Sequence, residues 1–183
     1  TDDCNAKINF RCFKYHKTIS SLLLIYRLRK DKYSISWFKL SRSGFMDVKT
    51  IIEKAFEAAK NSYSPYSKFK VGACIEMRDG NYFLGTNIEN AAFGSTMCAE
   101  RNAVYGAYSN GYGKADIKQL AIVAGSDEIV SPCGACRQVL MELLPQDCPV
   151  ILANRESYEI TTMKELLPRA FIGESLTCSN QDL

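Results

Sequence analysis

Cys98-Ala99-Glu100 and, further along, Pro132-Cys133-Gly134-Ala135-Cys136 are the stretches that organise this chain. Each reads as the start of a helix. Cys98 opens one that runs to about Ser109, and Cys133 and Cys136 form the first turn of another. Cys133 and Cys136 stand three apart, so a helical turn points both sulfurs the same way. A helix start offers free N–H groups and the positive end of the dipole, which stabilise thiolates. Thiolate is the form that binds zinc. Three thiols are one short of a closed tetrahedral zinc and leave a fourth position for water. Glu100, two residues past Cys98, can touch that water without being a ligand. The pattern implies a catalytic zinc with a carboxylate proton carrier beside it.

Two plainer readings compete. A lone Cys-x-x-Cys after a strand can be a redox pair, but Cys98-Ala99-Glu100 has no role in that chemistry. A structural zinc needs a fourth ligand. His16 is the only histidine and lies far upstream. Cys74 and Cys148 fall on or beside expected strands and read as small apolar residues. Arg101 and Arg137 each directly follow a motif. Three thiolates on Zn²⁺ leave a net negative charge, and a hydrogen bond from either arginine to a sulfur would withdraw some of it.

The flanking elements follow from periodicity. Val48, Ile51, Ile52, Ala55, Phe56 and Ala59 recur at helical spacing after Asp47, a helix-capping residue, and predict a helix to about Asn61. Ser62 to Ser67 reads as a loop. Phe69, Val71, Ala73, Ile75 and Met77 alternate as in a strand, Arg78-Asp79-Gly80-Asn81 turns, and Tyr82 to Asn87 returns. Residues 88–96 read as a loop. Leu120 to Ala124 and Val150 to Ala153 are wholly apolar, as buried strands are. Tyr158 to Thr161 reads as another strand, and Thr162-Met163-Lys164-Glu165 as a capping box opening a short helix that Pro168 closes. The order α-β-β-α-β-α-β-β-α predicts a three-layer α/β/α sandwich around a mixed sheet of about five strands.

Composition sets the outer limits. A chain of 183 residues, 46% apolar and 23% charged, suits one domain with a full core. No apolar run approaches the ~18 residues that cross a bilayer. Eight cysteines in a chain of this size, read as thiols, fit a reducing, cytoplasmic setting. Residues 1–45 hold ten Lys/Arg and three acids, and the remainder 13 and 17. The basic character thus sits in the first 45 residues, which lack a sustained period and read as a leader, non-native or targeting. Residues 46–183 are the expected catalytic domain, which begins at Met46-Asp47-Val48. That part is mildly acidic and has no basic stripe to track a phosphate backbone. This argues against a polynucleotide partner and for a small-molecule substrate.

From about Met46 to about Leu176 the chain resembles the free-nucleoside cytidine deaminases. The likeness rests on Ser64-Pro65-Tyr66-Ser67-Lys68-Phe69-Lys70-Val71-Gly72-Ala73, Asn87-Ile88-Glu89-Asn90-Ala91 and Cys98-Ala99-Glu100-Arg101. It continues through Ser131-Pro132-Cys133-Gly134-Ala135-Cys136-Arg137-Gln138 and Leu166-Leu167-Pro168-Arg169-Ala170-Phe171. A cysteine as first ligand resembles the small, homotetrameric branch. By that resemblance Cys98, Cys133 and Cys136 hold one zinc per subunit and Glu100 shuttles protons. Phe69 packs on the pyrimidine, Asn87 and Glu89 bind the sugar 3′-hydroxyl, and the Ala99 main chain meets the base. Phe171 reaches a neighbouring subunit's site. The implied reaction is hydrolytic deamination of cytidine and 2′-deoxycytidine in pyrimidine salvage. Phe93 stands where the family often carries Tyr, and the hydroxyl of that Tyr is missing here. A deaminase for another aminopyrimidine or an aminonucleoside antibiotic, a polynucleotide editor, and a zinc-stabilised binding module are the competing readings.

Overall fold

The computed structural model describes residues 46–176; the expected leader lies outside them. Helix α1 spans Val48–Ala59. Its N-cap is Asp47, whose Oδ1 accepts a hydrogen bond from Thr50 N at 2.7 Å, satisfying one of the free donors of the first turn. The helix stops two residues before the expected Asn61. The N–H groups of Lys60 and Asn61 turn to carbonyls three residues back, at 3.3 and 3.0 Å, which tightens the last turn.

Strands β1 (Val71–Met77) and β2 (Tyr82–Thr86) form an antiparallel hairpin through the expected Arg78–Asn81 turn. Gly80 takes φ +87° there, a conformation that favours glycine. Strand β3 (Ile117–Ala124) pairs antiparallel with β1 and parallel with β4 (Pro149–Ala153); β5 (Tyr158–Thr162) closes the sheet antiparallel to β4. The order is β2-β1-β3-β4-β5, the mixed five-stranded sheet that the sequence predicts. Helices α2 (Ala99–Ser109) and α3 (Gly134–Leu143) cover one face with the short α4 (Met163–Leu166), and α1 covers the other. The capping box of α4 forms as expected: Thr162 Oγ1 accepts from Glu165 N, and Glu165 Oε2 from Thr162 N.

The core divides between the two faces. Ala73, Ile75 and Met77 of β1 pack with Ala103, Val104, Leu140 and Leu152 beneath α2 and α3. Cys74, Ala121, Val123 and Ile151 pack with Ile51 and Ala55 of α1. The alternation in β1 therefore does not mark a half-exposed strand; β1 is central, and both faces are covered. Glu76 is consequently fully buried. Its carboxylate is satisfied by Met46 N at 2.8 Å, by Gln119 Nε2 and by Lys118 Nζ at 3.3 Å, as a buried charge requires. These partners also explain why β3 begins at Ile117 and not at Leu120. Lys118 and Gln119 interrupt the apolar run but belong to the strand.

Two glycines set how closely the layers approach. A Cβ on Gly72 of β1 would lie 2.7 Å from Ala59 N and closer still to Ala55 O, so α1 rests directly on that strand. A Cβ on Gly85 of β2 would lie 2.5 Å from Ala103 N and closer still to Ala99 O. The first turn of α2 is thereby seated on β2. Helices α2 and α3 lie on the same face, and their N-terminal ends converge.

Candidate active site

Cys98 is the N-cap of α2 and Cys133 the N-cap of α3; neither side chain caps its own helix. Cys136 is the third residue of α3 and is buried. The three sulfurs lie within 4.8 Å of one another, with Cys98 Sγ and Cys133 Sγ 3.9 Å apart. Tetrahedral zinc with sulfurs at about 2.3 Å needs them ~3.8 Å apart, so the trio fits with little movement. Among the described residues no fourth histidine, cysteine or carboxylate joins this group. Cys74 and Cys148 are buried elsewhere, and burial pushes both thiols up to about 12. They are packing residues.

The electrostatics prepare the sulfurs for a cation. Hydrogen bonding from Cys136, and then from Arg101, holds the Cys98 thiol down at about 5. The same bond to the Cys98 thiolate, together with burial, pushes Cys136 upward. Holding a divalent ion there would require that retained proton to leave. Arg101 Nη2 lies 3.4 Å from Cys98 Sγ and 3.2 Å from Thr96 O, and the thiolate raises the arginine's own proton affinity. Among the described residues its Nε is buried without a hydrogen-bond partner. Arg101→Ala is expected to weaken zinc binding about 10- to 100-fold, the usual effect of losing such a supporting contact. Chelator competition measures this, and unchanged affinity removes Arg101 from the role.

Arg137 does not share it. Its Nε, Nη1 and Nη2 donate to Pro132 O at 2.7 Å, Leu166 O at 3.0 Å and Ser131 Oγ at 2.6 Å. The expected bond to a sulfur is not made. Arg101 follows Cys98 by three residues and Arg137 follows Cys133 by four, so both are helical neighbours of a thiol; what separates them is that the Arg137 guanidinium is taken up by its three oxygen acceptors. Arg137 instead ties the motif loop to the C-terminal end of α4.

Glu100 occupies the second position of α2 and is only 4% exposed. Burial raises its proton affinity above that of an ordinary carboxylate. The Cys136 thiol and its own main-chain N–H partly offset this. Ala99, between Cys98 and Glu100, is wholly buried, with its carbonyl against Gly85.

A second group gathers around Asn87. Its Nδ2 donates to Phe69 O at 2.8 Å, and its Oδ1 accepts from Val71 N at 2.9 Å and from Ser62 Oγ at 2.6 Å. Glu89 accepts from Tyr66 N at 2.9 Å and from the Ser67 hydroxyl. These bonds draw Phe69, Asn87 and Glu89 together. The 88–96 stretch is more ordered than a plain loop. Ile88 bridges both Tyr63 and Met97, which brings the Asn87 group alongside the approach to Cys98. Phe93 packs edge-on against Tyr66, with ring centroids 5.7 Å apart. Phe171 is 59% exposed, and its carbonyl accepts from Gln138 Nε2 at 2.7 Å. Sequence reading missed Ser62, because a serine in an expected loop carries no periodic signal.

Residues 46–152 match the family model described as the cytidine and deoxycytidylate deaminase zinc-binding region. The chain is 46% identical over 132 residues to a cytidine deaminase of Halalkalibacterium halodurans, covering 72% of this chain and 98% of that protein. A cytidine deaminase of Sporosarcina psychrophila is likewise 46% identical, over 72% of this chain and 96% of its own length. Among solved structures, the cytidine deaminase of Burkholderia pseudomallei superposes with a TM-score of 0.67 at 41% identity, over 69% of this chain and all of that one. With three thiols at zinc spacing and a buried carboxylate beside them, the chain belongs to the zinc-dependent cytidine and deoxycytidylate deaminase family.

Proposed function

We propose that the protein hydrolyses cytidine and 2′-deoxycytidine to uridine and 2′-deoxyuridine, releasing ammonia. The observation that carries this reading is the buried Glu100 beside three converging thiols. Cys98, Cys133 and Cys136 would hold the ion, and bound zinc supplies an activated water as nucleophile. Glu100 takes one proton from the attacking water and delivers it to the ring nitrogen next to the reacting carbon. It then passes the water's second proton to the departing amine. The carbon–nitrogen bond breaks, a carbon–oxygen bond replaces it, and Glu100 returns to its starting state. Its raised proton affinity suits a group that must hold a proton between two transfers.

The remaining residues position the nucleoside. Phe69 offers its ring to the pyrimidine, the Ala99 main chain meets the base, and Asn87 with Glu89 faces the sugar 3′-hydroxyl. Phe171, exposed and with its carbonyl held by Gln138, suits a residue that completes a neighbouring subunit's site in a homotetramer. Salvage of pyrimidine nucleosides in the cytoplasm is the setting in which such a reaction serves. Among the described residues no helix is long and apolar enough to cross a membrane.

Addition of cytidine to zinc-loaded protein is expected to give a steady loss of the substrate's ultraviolet absorbance with one ammonia released per nucleoside. No turnover of cytidine or deoxycytidine by protein of verified zinc content overturns the proposal.

A further inference from the structure

The Asn87 amide has one possible orientation. The Val71 N–H can only donate and the Phe69 carbonyl can only accept, so Oδ1 faces the first and Nδ2 the second. Oδ1 is thus the acceptor for the Ser62 hydroxyl, 2.6 Å away. That hydroxyl also lies 3.2 Å from Ser64 Oγ and 3.4 Å from Asn87 O, but its single proton goes to the nearest acceptor. Both lone pairs of Oδ1 are then committed, and one Nδ2–H is left over. Asn87 is 8% exposed, so this N–H is the group it can still offer.

Glu89 is the opposite. The Ser67 hydroxyl and the Tyr66 and Ser67 N–H groups hold its carboxyl below the usual range, so it stays ionised and only accepts. A ligand atom that meets both residues must accept from Asn87 and donate to Glu89. A hydroxyl does both. An ether oxygen cannot donate, and an ammonium cannot accept.

We propose that Ser62 is a positioning residue that makes Asn87 a pure donor and so tunes this subsite to a hydroxyl group. The inference rests on the reading that Asn87 and Glu89 face the sugar. Ser62 acts through the Asn87 amide and not by touching the nucleoside.

The test is steady-state kinetics of wild type, Ser62→Ala and Ser62→Thr on cytidine and 3′-deoxycytidine. Ser62→Ala raises KM for cytidine about fivefold, the worth of one modest hydrogen bond, with kcat within about twofold. Its KM for 3′-deoxycytidine stays at the wild-type value, and Ser62→Thr, which keeps the hydroxyl, restores cytidine binding. An equal rise for both substrates, as loop loosening would give, overturns the role of Ser62 and leaves the sugar reading intact. So does no change at all. If wild type handles both nucleosides alike, the sugar reading itself fails and the Ser62 proposal with it.

Discussion

Glu100→Gln is expected to lower kcat/KM for cytidine by about a thousandfold, within the range of losing a general acid–base group. The substitution keeps the shape and the polar atoms but cannot take up and release a proton. Glu100 lies at the second position of α2, directly after Ala99 and two residues past Cys98, and is almost wholly enclosed. Water cannot easily replace it as a proton carrier there. Zinc should remain bound, because the ligand group comprises Cys98, Cys133 and Cys136 and not Glu100. The fold should also remain. An ionised carboxylate is costly to bury, and a neutral amide of the same size removes that cost. The decisive measurement pairs initial rates with elemental analysis and a thermal melt on one sample. Retention of more than about a tenth of the activity with zinc in place is far outside the acid–base range. It would assign the proton work to another group.

The parts of this protein legible in its sequence are the local ones. The α1 cap at Asp47, the Arg78–Asn81 turn, the capping box at Thr162 and the helix starts at Cys98 and Cys133 are each specified within a few residues. The thiol spacing is partly local too, since Cys133 and Cys136 share one helical turn. What the sequence hides is polar pairing between distant segments. Glu76 alternates with apolar neighbours along β1, yet it is fully buried and is satisfied by Met46 N, Gln119 and Lys118. Gln119 and Lys118 also disguise the start of β3. Arg137 is placed beside a thiol by sequence and by helical turn alike, yet its guanidinium goes to Pro132 O, Leu166 O and Ser131 Oγ, one of them 29 residues away. The Ser62 contact to Asn87 spans 25 residues and leaves no periodic trace. Hydrophobic periodicity records which face is covered; it does not record which hydrogen bonds the cover makes.

Gly85→Ala is expected to cost about 3 kcal/mol or more of stability and to impair zinc binding, while Gly72→Ala costs as much and leaves the zinc site intact. Both added methyls meet main chain, which cannot swing aside as a flexible side chain can. Overpacking of this kind therefore falls at or beyond the upper end of its usual range of about 1–3 kcal/mol. Against a total of roughly 5–15 kcal/mol, either change leaves a folded but weakened protein or unfolds it. The two differ in which layer must move. The obstacle at Gly72 is Ala55 O and Ala59 N of α1, on the sheet face opposite the thiols. The obstacle at Gly85 is Ala99 O and Ala103 N of α2. Relief there lifts the first turn of α2 off β2 and carries Cys98 away from Cys133 and Cys136, which belong to α3. Glu100 moves with Cys98, so activity falls even in the fraction that still holds zinc. Denaturant unfolding gives the two stability losses, and chelator competition at a temperature where both variants are folded gives the two affinities. If Gly85→Ala matches wild type in stability, the close seating of α2 on β2 is wrong. If both variants lose stability and neither loses zinc affinity, the α2 start is not what places Cys98 against its two partners.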